Sequence, residues 1–190
     1  LAKRHTGRTD IISCKNSYHG SSHGALSIMG NEEFKNNFRP LLPNTRLIEF
    51  NNFDDLQYIT EKTACIVIEA FQAEAGIIIP NLNYMKSVRE RCTEMGAMLI
   101  IDEVQTGFGR TGENFAHELY NIKPDIMGCG KAAGGGILPV SFVAGRKDII
   151  DVLTPGSEGS TFGGYPLAAI VGIYAIKTLI DEKLPKNAEI

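Results

Sequence analysis

Lys131 stands in Gly130-Lys-Ala-Ala-Gly-Gly-Gly136, directly after the short run Ile126-Met-Gly-Cys129, so a single amine is surrounded by very small side chains. A flat ring can approach such an amine closely. An amine attacks an aldehyde only when unprotonated, and an apolar setting favours that form, so the segment suits a nucleophilic lysine. The same residues also fit a surface lysine in a flexible glycine loop. A second group lies upstream, where Ala97-Met-Leu-Ile-Ile101 runs into Asp102-Glu-Val-Gln105. That puts an acid at the carboxyl end of an apolar strand, where open α/β sheets bind ligands. An ionised aspartate beside a dry core is costly unless a cation faces it, and a protonated pyridine nitrogen would serve. A solvated aspartate at a strand end is the other reading.

Gly159-Ser-Thr-Phe-Gly-Gly164 precedes a helix expected from Pro166, so the hydroxyls of Ser160 and Thr161 and the free N–H groups suit a phosphate. The segment also reads as a capped loop and nothing more. Tyr18, in Asn16-Ser-Tyr-His-Gly20, could stack on a ring or simply pack. Two further patterns point elsewhere. Gly107-Phe-Gly-Arg-Thr-Gly112 matches G-x-G-x-x-G and raises a dinucleotide-binding dehydrogenase as an alternative, but Asp102 to Thr106 separate it from the apolar strand. His19 and His23 are spaced like helical metal ligands, yet Gly20 and Gly24 disfavour a helix and no third ligand is apparent, so no metal is expected.

Positioning these residues requires a sheet. Strands are expected at Asp10–Cys14, Arg46–Phe50, Ala64–Ala70, Ala97–Val104, Ile126–Cys129 and Val140–Ala144. Most are continuously apolar, as when helices cover both faces, so the expected fold is α/β with a mostly parallel mixed sheet. The clearest helices are Tyr84–Met95, ended by Gly96, and Pro166–Glu182. Leu1-Ala-Lys-Arg-His5 has the composition of a helix C-terminus stopped at Gly7, and the chain is read as a segment of a longer protein. No repeat or linker divides it, which leaves one domain over residues 1–190.

A net charge of −3 and a pI near 5.8 provide no basic excess for nucleic acid, so a small metabolite is the expected partner. The four cysteines lack a CxxC pair, no stretch is apolar enough to span a membrane, and no signal peptide opens the chain. A soluble cytoplasmic location is expected, with the mitochondrial matrix as the eukaryotic option.

Five segments in order, Asn16–Gly20, Glu69-Ala-Phe-Gln-Ala-Glu-Ala-Gly76, Ile101–Gly112, Gly130–Gly136 and Gly159–Gly164, resemble the signatures of the class III aminotransferases. The likeness runs through nearly the whole chain. It implies fold type I, a large α/β domain that binds pyridoxal 5'-phosphate, with an N-terminal segment and a small C-terminal domain lying outside this sequence. It also implies a homodimer with active sites at the interface. By position, Lys131 would carry the cofactor as a Schiff base and move protons, Asp102 would pair with the pyridinium nitrogen, and Gln105 would lie near the ring hydroxyl. Tyr18 would stack on the ring, and Thr161, with Ser160, would bind the phosphate of the neighbouring subunit. Glu74 matches the acid that pairs with a small-domain arginine in ornithine-type members. The implied reaction moves an amino group from an ornithine- or acetylornithine-type donor to a keto acid such as 2-oxoglutarate. An aminomutase on the same scaffold and a catalytically silent fragment are the alternatives.

Three positions depart from the family pattern. Ala70 stands where Pro is usual, Ala73 where Gly is common, and Ser21 where ornithine-type members carry an arginine for the substrate carboxylate. The first two affect backbone rigidity; Ser21 leaves the donor open.

Overall fold

A computed structural model describes residues 1–188. Its centre is one six-stranded sheet made of β1 (Asp10–Cys14), β2 (Thr45–Ile48), β3 (Thr63–Glu69), β4 (Met98–Asp102), β5 (Ile126–Cys129) and β6 (Phe142–Gly145), in the order β2-β1-β3-β4-β5-β6. The first five strands run parallel, and β6 pairs antiparallel with β5. The expected mixed, mostly parallel sheet is therefore present. After β1 the chain moves outward to β2 and then returns past β1 to β3. That reversal opens a crevice at the carboxyl ends, where such sheets bind ligands.

Period-two alternation assigns the apolar residues to two cores. Ile12, Ile66, Ile68, Leu99 and Ile101 point to one face and pack with Tyr84, Met85, Val88 and Cys92 of α3 (Leu82–Met95). On the other face Ile11, Cys65, Val67, Met98, Ile100 and Ile126 meet Ala2 of α1 (Ala2–Thr6) and Ile149, which lies in α4 (Lys147–Ile150). Helices thus cover both faces, as the continuously apolar strands required. Two more helices complete the set, α2 (His23–Ile28) and α5 (Pro166–Asp181).

The helix ends follow their caps. Gly7 closes α1 and Gly96 closes α3, both in left-handed conformation, as the sequence suggested. Helix α3 begins two residues earlier than the apolar periodicity indicated, because the Asn81 side chain accepts the Asn83 N–H and sets the first turn. Strand β4 is shorter than expected at both ends. Its carboxyl end stops at Asp102, whose Oδ1 accepts the Val104 N–H at 3.0 Å and turns the backbone out of the sheet.

One buried acid ties the layers together. Asp125, just before β5, accepts the Leu99 N–H at 2.8 Å, Arg89 Nη1 of α3 at 2.7 Å and Arg146 Nη1 at 2.9 Å. It therefore links β4, β5 and the helices on both faces. Asp125→Ala would leave the Leu99 N–H unpaired in the interior and strip two charge-assisted bonds. We expect a loss of about 2–3 kcal/mol, seen as a lower denaturant midpoint with an unchanged slope. A midpoint within error of the unsubstituted chain would show that the arginines do not act as a tie.

Candidate active site

The parallel register decides what lies at the carboxyl edge. Glu69 of β3 is paired with Asp102 of β4, and Asp102 with Gly128 of β5, so the two acids point to the same side with an empty position next to them. A Cβ built on Gly128 would meet nothing within 4 Å. Into this crevice project Tyr18 and His19 from the loop after β1, Gln105 from the turn after β4, and Lys131 from the turn after β5.

Tyr18 and His19 are held by the two acids. The Tyr18 N–H donates to Glu69 Oε2 at 3.1 Å, and the ring of Phe34 meets that of Tyr18 edge-on at 6.4 Å. Nδ1 of His19 lies 2.9 Å from Asp102 Oδ2. Burial pushes the Glu69 carboxyl above its ordinary range, against the N–H bonds from Tyr18 and Ala73 that favour the charged form. The loop itself turns on Gly30, whose N–H donates to Ser17 O at 2.9 Å and whose carbonyl accepts the Asn16 N–H at 3.2 Å. A Cβ at Gly30 would lie 2.3 Å from Asn16 N, so only glycine permits this approach.

Lys131 opens a 3-10 turn, Lys131–Gly134, with φ 46, a left-handed conformation that costs a non-glycine residue on the order of 1 kcal/mol. Lys131 lines the crevice. Gln105 donates from Nε2 to Glu74 Oε1 at 2.7 Å, which brings Glu74 to the rim.

Behind Asp102 lies a second, fully enclosed acid. Glu103 accepts the Ala116 N–H at 3.1 Å and the His117 N–H at 2.9 Å, lies 3.0 Å from His117 Nδ1, and accepts the Thr106 hydroxyl. Burial raises its carboxyl, but the bonds from His117, Thr106 and the two backbone N–H groups outweigh it and hold the group below the ordinary carboxylate range. Glu103 thus clamps the excursion between β4 and β5 while Asp102 faces the crevice. The glycines of the G-x-G-x-x-G segment belong to this excursion. A Cβ on Gly107 would come 2.9 Å from Glu103 O, while Gly109 and Gly112 have positive φ. Backbone geometry accounts for them, and the next element is the 3-10 turn Ala116–Tyr120 rather than a phosphate-binding helix, so the dinucleotide reading is not favoured.

Of the residues singled out from the sequence, Tyr18, Asp102, Gln105 and Lys131 share one pocket, and Glu74 joins them through Gln105. Ser160 and Thr161 do not. They are exposed in the loop before α5, where Ser160 lines a different hollow with Val140, Phe142 and Ile173. Sequence reasoning missed Glu69 and His19 as pocket residues. Counting back along aligned strand ends could have found Glu69; His19 carried only its adjacency to Tyr18. Among the described residues no group of three or more His, Cys, Asp or Glu side chains could hold a metal ion, and no helix is long and apolar enough to cross a membrane. A carboxylate, an amide, an aromatic ring and a primary amine around an open position fit a planar, cationic heteroaromatic carbonyl compound.

Comparison with known proteins bears on this donor set. The family model for class-III aminotransferases matches residues 1–190. Ornithine aminotransferase of Bacillus cereus (strain 03BB102) is 43% identical over 189 residues, 99% of this chain and 48% of that protein. The Oceanobacillus iheyensis enzyme of the same name is 45% identical over 178 residues, 93% of this chain and 45% of its own length. The chain spans about half the length of the curated relatives it matches. Among solved structures, ornithine aminotransferase from Toxoplasma gondii, with PLP at partial occupancy in its active site, superposes with a TM-score of 0.94 at 36% identity, covering 99% of this chain and 47% of that one. A PLP-bound amine transaminase from an uncultivated Pseudomonas species gives 0.90 at 26% identity, covering 98% and 50%.

The Glu103 clamp has a measurable pH signature. Because its folded-state value lies below the ordinary 4.5, its charge stabilises the fold above that pH, and the contribution is lost as pH falls through the folded value. Glu103→Gln should therefore cost about 2–3 kcal/mol near neutrality, and the gap to the unsubstituted chain should narrow below pH 4.5. Denaturant midpoints taken across that range test it; a gap independent of pH would contradict the assignment.

Proposed function

The chain belongs to the class-III aminotransferase family, and from that premise we propose that residues 1–190 form part of the large, cofactor-binding domain of a pyridoxal-phosphate-dependent transaminase. The protein moves an amino group from an amine or amino-acid donor of the ornithine or acetylornithine type to a keto acid such as 2-oxoglutarate. The observation that carries this reading is the meeting of Tyr18, Asp102, Gln105 and Lys131 in one pocket at the carboxyl ends of β4 and β5.

Pyridoxal phosphate supplies, when bound, an aldehyde that condenses with amines and a pyridine ring that takes up the electron pair left when a donor carbon loses its proton. Asp102 would hold the proton on the ring nitrogen; its Oδ2 is oriented by His19 and its Oδ1 by the Val104 N–H. Tyr18, its backbone fixed by Glu69, would stack on the ring. Gln105 would bind the ring hydroxyl with the part of its amide not given to Glu74. Lys131 would hold the cofactor through its Nζ and, when that amine is free, would serve as the base and acid that moves a proton at the reacting carbon.

Ser160 and Thr161, which lie outside this pocket in their own chain, serve the phosphate in a neighbouring copy, so the working protein is a homodimer with sites at the interface. Glu74, exposed and held among the described residues only by Gln105 at 2.7 Å, would be free to exchange that bond for an arginine of the small domain. Ser21 lies exposed in the loop before α2 and offers one neutral hydroxyl where an α-carboxylate would need a cation. Either another basic residue supplies that contact, or the preferred donor lacks an α-carboxylate at that place; the likeness to ornithine aminotransferases favours the first.

Two experiments on the full chain test the reading. Borohydride reduction of the cofactor-loaded protein followed by peptide mapping should label Lys131; a label on Lys123 or Lys147 instead would sink the assignment. Asp102→Asn should retain cofactor binding while lowering kcat about 100-fold or more, since the ring nitrogen loses its charged partner. Near-normal turnover in that variant would leave Asp102 only a structural role.

A further inference from the structure

The backbone of Tyr18 is pinned, since its N–H donates to Glu69 Oε2 at 3.1 Å, but that bond leaves the ring free to turn. An aromatic side chain rotates about two bonds, and the second has a broad torsional well. The one aromatic contact of the Tyr18 ring among the described residues is Phe34, with centroids 6.4 Å apart and planes at 78°. Phe34 is 53% exposed, too open for the core to hold it in place. Its own turn holds it instead. Phe34 ends the 3-10 turn Glu32–Phe34, which is capped where Asn31 Oδ1 accepts the Glu33 N–H at 2.9 Å. The next residue, Lys35, is buried, with Nζ donating to Met29 O at 3.1 Å and lying 3.2 Å from Glu32 Oε1. A buried ammonium is costly unless paired in this way, so Lys35 draws the turn inward and closes residues 29–35 on themselves. Arg39 pairs with the other oxygen of Glu32. The same segment is tied through Gly30 to Asn16 and Ser17. It therefore holds Tyr18 at two points, the backbone just before it and the ring.

We propose that Phe34 is a positioning residue for the Tyr18 ring, fixing the plane in which that ring meets a planar ligand, and that the buried Lys35 anchors it. The inference rests on the proposed pyridoxal-phosphate reading for the identity of the ligand. Perpendicular rings attract because the positive edge of one meets the negative face of the other. Rotation of the Tyr18 ring would lose that contact. An aliphatic side chain at position 34 would fill the space without selecting a plane, whereas a second kind of aromatic ring would keep the selection.

The test uses the full chain with and without cofactor. In the cofactor-free protein, the Tyr18 ring-proton resonances should be displaced by the ring current of Phe34; the displacement should vanish in Phe34→Leu and persist in Phe34→Tyr. In titrations, Phe34→Leu should bind pyridoxal phosphate about three- to tenfold more weakly, with a diminished visible circular dichroism band, and Phe34→Tyr within about twofold of the unsubstituted protein. Because position 34 is exposed, the denaturant midpoint of the Leu variant should not move beyond error. The deciding comparison is the double variant: with Tyr18→Leu already in place, Phe34→Leu should cause no further loss of affinity. If the double variant does not fold, Lys35→Met replaces it, and should reproduce the resonance change and the weaker binding of Phe34→Leu with both rings retained. Additive losses, an undisplaced Tyr18 ring, a Lys35→Met variant that behaves as the unsubstituted protein, or equal affinity and spectra across the set would overturn the proposal. An unsubstituted protein that bound no pyridoxal phosphate would instead refute the proposed function, while the Tyr18 resonances of the cofactor-free chain judge the Phe34 contact by themselves.

Discussion

Three parallel strands that end in register fix the geometry of everything at the crevice. Glu69, Asp102 and Gly128 stand abreast on β3, β4 and β5, so two carboxylates and one vacancy are set by backbone hydrogen bonding alone. A slip of one residue in either pairing would turn Asp102 into the core and bring Ile101 or Glu103 to the opening, because side chains alternate faces. The register is held from both ends. Asp125 grips the Leu99 N–H at the start of the β4–β5 pair, and the Glu103 N–H donates to Gly128 O at 2.9 Å beyond its end.

Placing two acids side by side in a part-buried position is unfavourable, and the loop after β1, with the turns that follow β3 and β4, relieves it in two different ways. Glu69 receives backbone N–H groups from Tyr18 and Ala73, while burial and the neighbouring Asp102 press it toward its protonated form. Asp102 receives the His19 ring and the Val104 N–H. The same dipeptide, Tyr18-His19, thus satisfies both acids and presents the aromatic ring. Its position depends in turn on the close backbone approach at Gly30. A chain of short-range constraints runs from a glycine on one side of the loop to the charge of an aspartate on the other.

These dependencies explain what could be read in advance. All six strands and both long helices were legible, because apolar runs and caps are local signals, and the end of β4 and the start of α3 were misjudged by two residues where the side chains of Asp102 and Asn81 intervene. Asp102 and Lys131 were legible as chemistry because each follows its own strand. Glu69 and His19 were not, since their roles come from contacts across 51 and 83 residues of sequence. The Glu103 clamp escaped for the same reason, with partners at Ala116 and His117 that no spacing rule connects to it.

The small residues after Lys131 have a second cause that the sequence alone concealed. Read by themselves, Ala132 to Gly136 suggest room for a ring. In the structure they also receive α5: Gly172 lies with its Cβ position 3.6 Å from Ala133 O, and a Cβ on Gly135 would come 3.2 Å from that of Ala175. Ala133 is fully buried beneath the helix. Larger side chains here would lift α5 away, and with it the support behind the strained Lys131 turn. The turn must therefore be thin on two sides, toward the crevice for whatever binds there and toward α5 for rigidity. A left-handed lysine persists only where its surroundings over-determine it. The packing of α5 supplies that determination from the side opposite the chemistry.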